Sequence, residues 1–177
     1  MKTAVFANSK GGVGKSTIAL LTSLSLATKY NRANVELIDL DPQATTSDSL
    51  SRFANYRFKV INNEEFYLGS TTPNNSRIIS HLESSSDNHI SECYSVIDCP
   101  AGNDPVRSTF LLHSDIIFIP TSVSDADVFA TKKYIASLID LFESDVENSP
   151  KKPPLAVILP SMIDHRDELN ELRSILG

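Results

Sequence analysis

The sequence predicts an α/β fold in three layers: a mostly parallel central sheet with helices on both faces. Three observations lead there. Short apolar runs recur along the chain, most of them nearly continuous rather than alternating, as strands covered on both sides should be. Stretches of helical pattern separate them, and such alternation means βαβ units with right-handed crossovers. A turn rich in glycine, Asn8-Ser9-Lys10-Gly11-Gly12-Val13-Gly14-Lys15-Ser16-Thr17, joins the first strand to the first helix.

Taken in order, the strands are expected at residues 4–7, 35–40, 58–61, 95–98, 116–119 and 155–159. Helices are expected at Lys15 to Lys29, Thr45 to Tyr56, Ser76 to Glu83, Pro105 to His113, Asp125 to Glu143 and Arg166 to Leu176. The first helix is apolar around most of its circumference (Ile18, Ala19, Leu20, Leu21, Leu24, Leu26, Ala27), so it is expected to be largely buried. Two stretches break the pattern. Asn62 to Asn75 ends in Gly-Ser-Thr-Thr-Pro-Asn-Asn and reads as an exposed loop. Glu147 to Pro154 is a proline-rich connection that must stop the helix before it.

The bulk properties set outer bounds. A chain of 177 residues with 41% hydrophobic and 21% charged residues has ordinary globular composition and reads as one domain, 1–177. A net charge of -6 argues against a surface given over wholly to nucleic acid, while leaving room for a local basic patch. Cys93 and Cys99 have no metal-type spacing, which suits a reduced, cytoplasmic setting without a disulfide framework. No apolar run reaches the ~18 residues of a membrane span, and the short apolar start is too brief for a signal segment.

The glycine-rich turn carries the chemistry. A strand, then glycines, then a helix is the context a phosphate-binding loop requires. Gly11, Gly12 and Gly14 let backbone N–H groups turn inward on a phosphate at a helix N-terminus. Lys15 can lie against β- and γ-phosphates, and the Ser16 hydroxyl can reach Mg²⁺. The common G-x-x-x-x-G-K-[ST] pattern is missed by one place, because Ser9 stands where glycine is usual and a second lysine, Lys10, follows it.

Carboxylates follow at strand ends. Asp39 and Asp41, in Asp39-Leu40-Asp41-Pro42-Gln43, are two apart and project to one side of an extended chain, at the sheet edge where ligands gather. Asp98 closes the apolar run Tyr94 to Ile97 and fits a position that holds Mg²⁺, while Cys99 reads as a small packed residue. Asp127 stands at the start of the fifth predicted helix, where the helix dipole alone would favour an acid.

The loop K-G-G-V-G-K-S and the run D-L-D-P-Q resemble the signatures of the ParA/MinD ATPases with a deviant Walker A loop, and Leu159-Pro160-Ser161-Met162-Ile163-Asp164-His165-Arg166 is similar to a run in their partition branch. The resemblance spans nearly the whole chain. It implies that residues Lys10, Gly11, Gly12, Val13, Gly14, Lys15, Ser16 and Thr17 hold ATP, with Lys10 reaching the phosphates bound by a partner subunit, as an arginine finger would. It implies that Asp39 supports the Mg²⁺ shell, that Asp41 orients or activates the attacking water, that Gly102 turns a phosphate-sensing segment, and that Pro160 and Met162 line the adenine pocket; core filling is the other reading of Met162. Asp127 matches an acidic residue of relatives, beside the dipole reading.

Such proteins form ATP-sandwich homodimers that bind DNA without sequence preference and position plasmids, chromosomes or protein compartments. A ParB-like adaptor triggers hydrolysis, and the protein is cytoplasmic, associated with the nucleoid when ATP-bound. Two departures stand out. Relatives usually continue with another strand and one or more helices, so the sequence is expected to be a fragment or a minimal variant. Basic clusters are few: Lys132-Lys133, Lys151-Lys152, Arg166 and Arg173. A C-terminal amphipathic helix of the membrane-targeting sort is absent, which weighs against a MinD-like membrane role. The alternative to a partition motor is a nucleotide-gated dimerising scaffold with negligible turnover. A dethiobiotin-synthetase-like enzyme fits Lys10 and D-L-D-P-Q poorly, and an iron-protein branch lacks its cysteines.

Overall fold

Six apolar runs become six strands: β1 (Lys2–Phe6), β2 (Asn34–Asp39), β3 (Lys59–Ile61), β4 (Cys93–Asp98), β5 (Ile116–Thr121) and β6 (Leu155–Pro160). The computed structural model describes residues 1–30, 34–43, 58–67, 69–86, 92–145 and 152–176. Its helices are α1 (Lys15–Lys29), α2 (Glu64–Tyr67), α3 (Asn75–Ser86), α4 (Asp125–Asp145) and α5 (Arg166–Leu176). The sheet order is β3-β2-β4-β1-β5-β6, with every described pairing parallel.

That order places the site. From β1 the chain crosses toward the β2 side, and from β4 it crosses toward the β5 side. Right-handed crossovers in opposite directions lie on opposite faces of the sheet. Adjacent β1 and β4 thus open a crevice at their C-terminal ends, where ligands of such sheets bind. One face buries Val5, Ile38, Ile97, Ile117 and Ile119 against Ile78, Leu82, Phe110, Tyr134 and Leu138. The other buries Phe6, Val35, Leu37 and Val96 against Ala19 and Ala27 of α1.

Three expectations need correction. Helix α1 is not largely buried: Lys15, Ala19, Ser23 and Ala27 form a four-residue-spaced buried stripe, while Leu21 and Leu24 stay exposed. Small residues on that stripe let the helix backbone approach the sheet, and only one narrow face can then be covered. Pro105 to His113 is two 3₁₀ turns, Pro105–Arg107 and Thr109–His113, rather than a helix. The Asp104 carboxylate caps the first turn by accepting from the Val106 N–H, and Ser108, bonded through its hydroxyl to Asn103, takes a non-helical backbone between the two. Within Asn62 to Asn75 the chain forms α2, because Phe66 is buried in the core rather than solvated.

The helix expected over Thr45 to Tyr56, and most of the Glu147 to Pro154 connection, lie outside the described residues. Helix α5 rests on α4 with Leu172 buried. Among the described residues no helix is long and apolar enough to cross a membrane.

Two measurements check this packing. Leu37→Ala, at a fully buried position, should lower unfolding free energy by about 2–5 kcal/mol in urea, whereas Leu21→Ala, on the open side of α1, should cost under about 1 kcal/mol. Cys99 is wholly buried, and burial followed by the neighbouring Asp98 charge pushes its thiol pKa far up. A maleimide at pH 8 should therefore leave Cys99 unmodified in the native chain and label it only after denaturation.

Candidate functional site

The turn between β1 and α1 is built on two left-handed residues, Gly12 (φ 78°) and Gly14 (φ 87°). A side chain at either would cost about 1–2 kcal/mol of backbone strain. Gly14 is also the N-cap of α1 and brings no side chain to the N–H groups of the first turn. That end of the helix is therefore an anion-receptive concavity. The loop after β4 closes over it: the Gly102 N–H donates to the Ser9 carbonyl at 2.8 Å.

The two lysines of the loop end in different surroundings. Lys15 is buried, and its ammonium donates to the Lys10 carbonyl at 2.8 Å, at the heart of the turn. Burial lowers its pKa, opposed first by the charge of Asp98 and then by that of Asp41. Lys10 lies on the outer flank, with 44% of its side chain exposed, and its Nζ is 3.7 Å from Asp127 Oδ1 of the same chain. The other oxygen of Asp127 accepts from the Ser122 hydroxyl. The lysine end of the pair is open to solvent, which screens it and leaves it worth about 1 kcal/mol.

The carboxylates converge as their strand ends require. Asp39 and Asp98 face one another in register at the ends of β2 and β4, both fully buried. The Asp41 N–H donates to Asp39 Oδ1 at 3.1 Å, which ties the following turn to that carboxylate. Asp41 is half-buried; its Oδ1 accepts from the Gln43 N–H at 2.9 Å, and its carbonyl accepts from the Asn63 amide at 2.8 Å. Tyr67 caps the same turn, its hydroxyl donating to the Leu40 carbonyl at 2.8 Å. Burial and then the Asp41 charge push the Tyr67 hydroxyl up to about 12, so it stays a donor. A cavity of about 570 Å³ opens beside this turn, lined by Asp41, Tyr67, Asn75, Gly102, Asn103 and Asp104 among others.

Among the described residues, no cluster of three or more His, Cys, Asp or Glu side chains could hold a metal alone. Mg²⁺ characteristically takes one or two carboxylates and completes its shell with water and substrate phosphates. Ser16, half-buried in the first turn of α1, and the carboxylates Asp39 and Asp98 fit that kind of site and not an all-protein cage.

The structure brings Lys15, Asp41 and Asp98 within electrostatic reach of one another. Val13 packs its side chain inward and offers the site only its backbone, and Thr17 is exposed in the first turn of α1. Pro160 ends β6 and Met162 follows it in a loop anchored to the turn by Ser161, whose hydroxyl donates to the Val13 carbonyl at 2.9 Å. Both are open to solvent, and Met162 holds a left-handed backbone (φ 54°), an uncommon conformation that clusters at binding sites. Met162 is thus not core filling. Sequence reasoning missed Ser161, Asn8, Asn103, Thr131 and Tyr134. Their role is seen only from partners far away in the chain; Asn8 alone offers a local hint, as a polar residue directly between a buried strand and the turn.

Comparison with known proteins agrees with this geometry. A family model described as an AAA domain matches residues 1–95. The "Maintenance of carboxysome distribution protein A" of Halothiobacillus neapolitanus is 30% identical over 153 residues, covering 84% of this chain and 62% of that protein. The "Virulence plasmid ParA family protein pGP5-D" of Chlamydia psittaci is 46% identical over 50 residues, 28% of this chain and 19% of that one. The chain thus spans less than two thirds of the length of either relative. Among solved structures, McdA of Cyanothece matches in apo form with TM-score 0.69 at 18% identity over 99% of this chain and 80% of that one, and its ATP complex matches with TM-score 0.63. The matched AAA family, its relatives and the shared fold agree with the two-lysine loop: the chain belongs to the ParA/MinD-type ATPases.

Proposed function

We propose that the chain is an ATP-hydrolysing switch of the partition and positioning kind. It closes as an ATP-sandwich homodimer, binds DNA without sequence preference and moves or spaces a cargo, with a ParB-like adaptor stimulating weak intrinsic turnover. The observation that carries this reading is the divided fate of the two lysines. Lys15 is buried inside its own loop, and Lys10 stands on the outer flank, its side chain partly open to solvent and paired with Asp127. A lysine placed there is available to a second copy's phosphates.

The roles follow from position. The N–H groups of the turn and the N-terminus of α1 bind phosphate oxygens. Lys15 places a desolvated positive charge against the β- and γ-phosphates, where a low dielectric strengthens it. Ser16, Asp39 and Asp98 would hold Mg²⁺, which supplies charge neutralisation on the phosphoryl oxygens. Asp41, half-exposed beside the cavity, orients the attacking water and takes its proton. Lys10 of the partner subunit adds charge at the phosphoryl group being transferred, so turnover depends on dimerisation. Pro160 and Met162 flank the base.

The DNA role rests on the family resemblance and on exposed Lys132, Lys133, Lys152, Arg166 and Arg173; Lys151 lies outside the described residues. Such binding should weaken steeply with salt. A cytoplasmic protein that joins the nucleoid when ATP-bound is the corresponding location.

Mixing two inactive variants tests the reading. Lys10→Ala keeps its own pocket and Asp41; Asp41→Ala keeps Lys10. Each alone should hydrolyse no ATP above background, and an equimolar mixture should regain turnover from mixed dimers. Sedimentation should show wild-type dimers with ATP and Mg²⁺ and monomers with ADP. Full activity of Lys10→Ala alone, or sedimentation as a monomer under both nucleotides, would overturn the proposal.

A further inference from the structure

Helix α4 carries a polar stripe that the roles above leave unused. Asp127, Thr131 and Tyr134 lie at i, i+4 and i+7, on one face of the helix. The same face continues as Leu138 and Leu141, which pack in the core. Its first three positions are polar instead: the first two meet the turn between β1 and α1, and the third meets the loop after β4.

Asp127 pairs with Lys10. The Thr131 hydroxyl donates to Thr121 Oγ1 at the end of β5 and accepts from the Asn8 amide, both at 2.9 Å. Asn8 is the root of the phosphate loop: its amide also donates to the Pro120 carbonyl at 2.9 Å, and its Oδ1 accepts the Lys10 N–H at 3.1 Å. The Tyr134 hydroxyl donates to Asn103 Oδ1 at 2.9 Å, and the Asn103 amide donates to Ser108 Oγ at 2.9 Å. Asn103 follows Gly102, whose N–H closes the β4 loop onto Ser9. Asn8, Thr131, Tyr134 and Asn103 are all buried. Burial pushes the Tyr134 hydroxyl well above its ordinary pKa, so it remains a donor.

Packing alone does not account for this choice of residues. Aliphatic side chains would fill the same space without the desolvation cost of buried polar groups, which is offset only when every partner is present. What the hydrogen bonds add is direction: they fix where two loops sit relative to one rigid helix. We infer that α4 is the positioning element of the phosphate site, with Thr131 setting the root of the phosphate loop through Asn8 and Tyr134 setting the loop after β4 through Asn103. The inference deepens the proposed ATPase and rests on it for the catalytic readout alone. It makes α4 an element through which a displacement would reach Lys10, the phosphate loop and the β4 loop together.

The test uses Thr131→Val and Tyr134→Phe, which remove one hydroxyl each and keep the shape, with Thr131→Ser as the conservative rescue. Backbone amide exchange on the nucleotide-free chain is read first. Thr131→Val should speed exchange in residues 8–12 by about tenfold and leave 100–104 as in wild type, and Tyr134→Phe should do the reverse. With ATP and Mg²⁺, either variant should lower kcat by about tenfold while KM moves less than about threefold. Thr131→Ser should restore both readouts. Tyr134→Phe removes a single oxygen and keeps its ring packed, so it decides the matter even where Thr131→Val does not fold. Unchanged local exchange in a folded variant, or a uniform rise across the whole chain, would overturn the inference. A wild type that neither binds nor hydrolyses ATP would instead sink the proposed function and leave the exchange result to judge α4.

Discussion

A lysine ammonium buried at the positive end of a helix is the constraint around which the rest is arranged. Lys15 cannot leave, because it is the first residue of α1 and belongs to the buried stripe that packs the helix on the sheet. Burial disfavours its charge, and the N-terminus of α1 adds a partial positive charge beside it. The Lys10 carbonyl, 2.8 Å away, and the charges of Asp98 and then Asp41 offset part of that cost. An anion with several oxygens would complete the balance.

The sheet order serves the same end. Had β4 not been inserted between β2 and β1, Asp98 would not stand opposite both Asp39 and Phe6, and the β4 loop could not reach Ser9. The small residues Ala19, Ser23 and Ala27 let α1 sit close over the sheet, which holds its N-terminus at the crevice. Packing and chemistry are therefore one problem in this region, and the exposed leucines of α1 are a by-product of giving the stripe to small residues.

Much of this was legible in the sequence because it is local. The bounds of α1 and α5 match the expected ones, and each strand falls on its apolar run. The loop could be recognised since glycines, lysines and a serine must lie at fixed spacing along one turn. What failed was non-local. The 3₁₀ turns after β4 depend on Asp104 capping the first and on Ser108, tied to Asn103, separating it from the second, against a pattern that looked helical. The apolar circumference of α1 suggested burial, but only the sheet decides how much of a helix can be covered. Asn8 and Thr131 are 123 residues apart, so no spacing rule could have joined them.

The claim beneath all of this is that Lys15 is a desolvated cation waiting for phosphate. Labelling lysine side chains with ¹³C and ¹⁵N and following the Lys15 ammonium through a pH titration tests it directly. The account requires a pKa below the ordinary lysine value in the free chain and a rise once ATP and Mg²⁺ are added. An ordinary pKa that nucleotide leaves unmoved would contradict it.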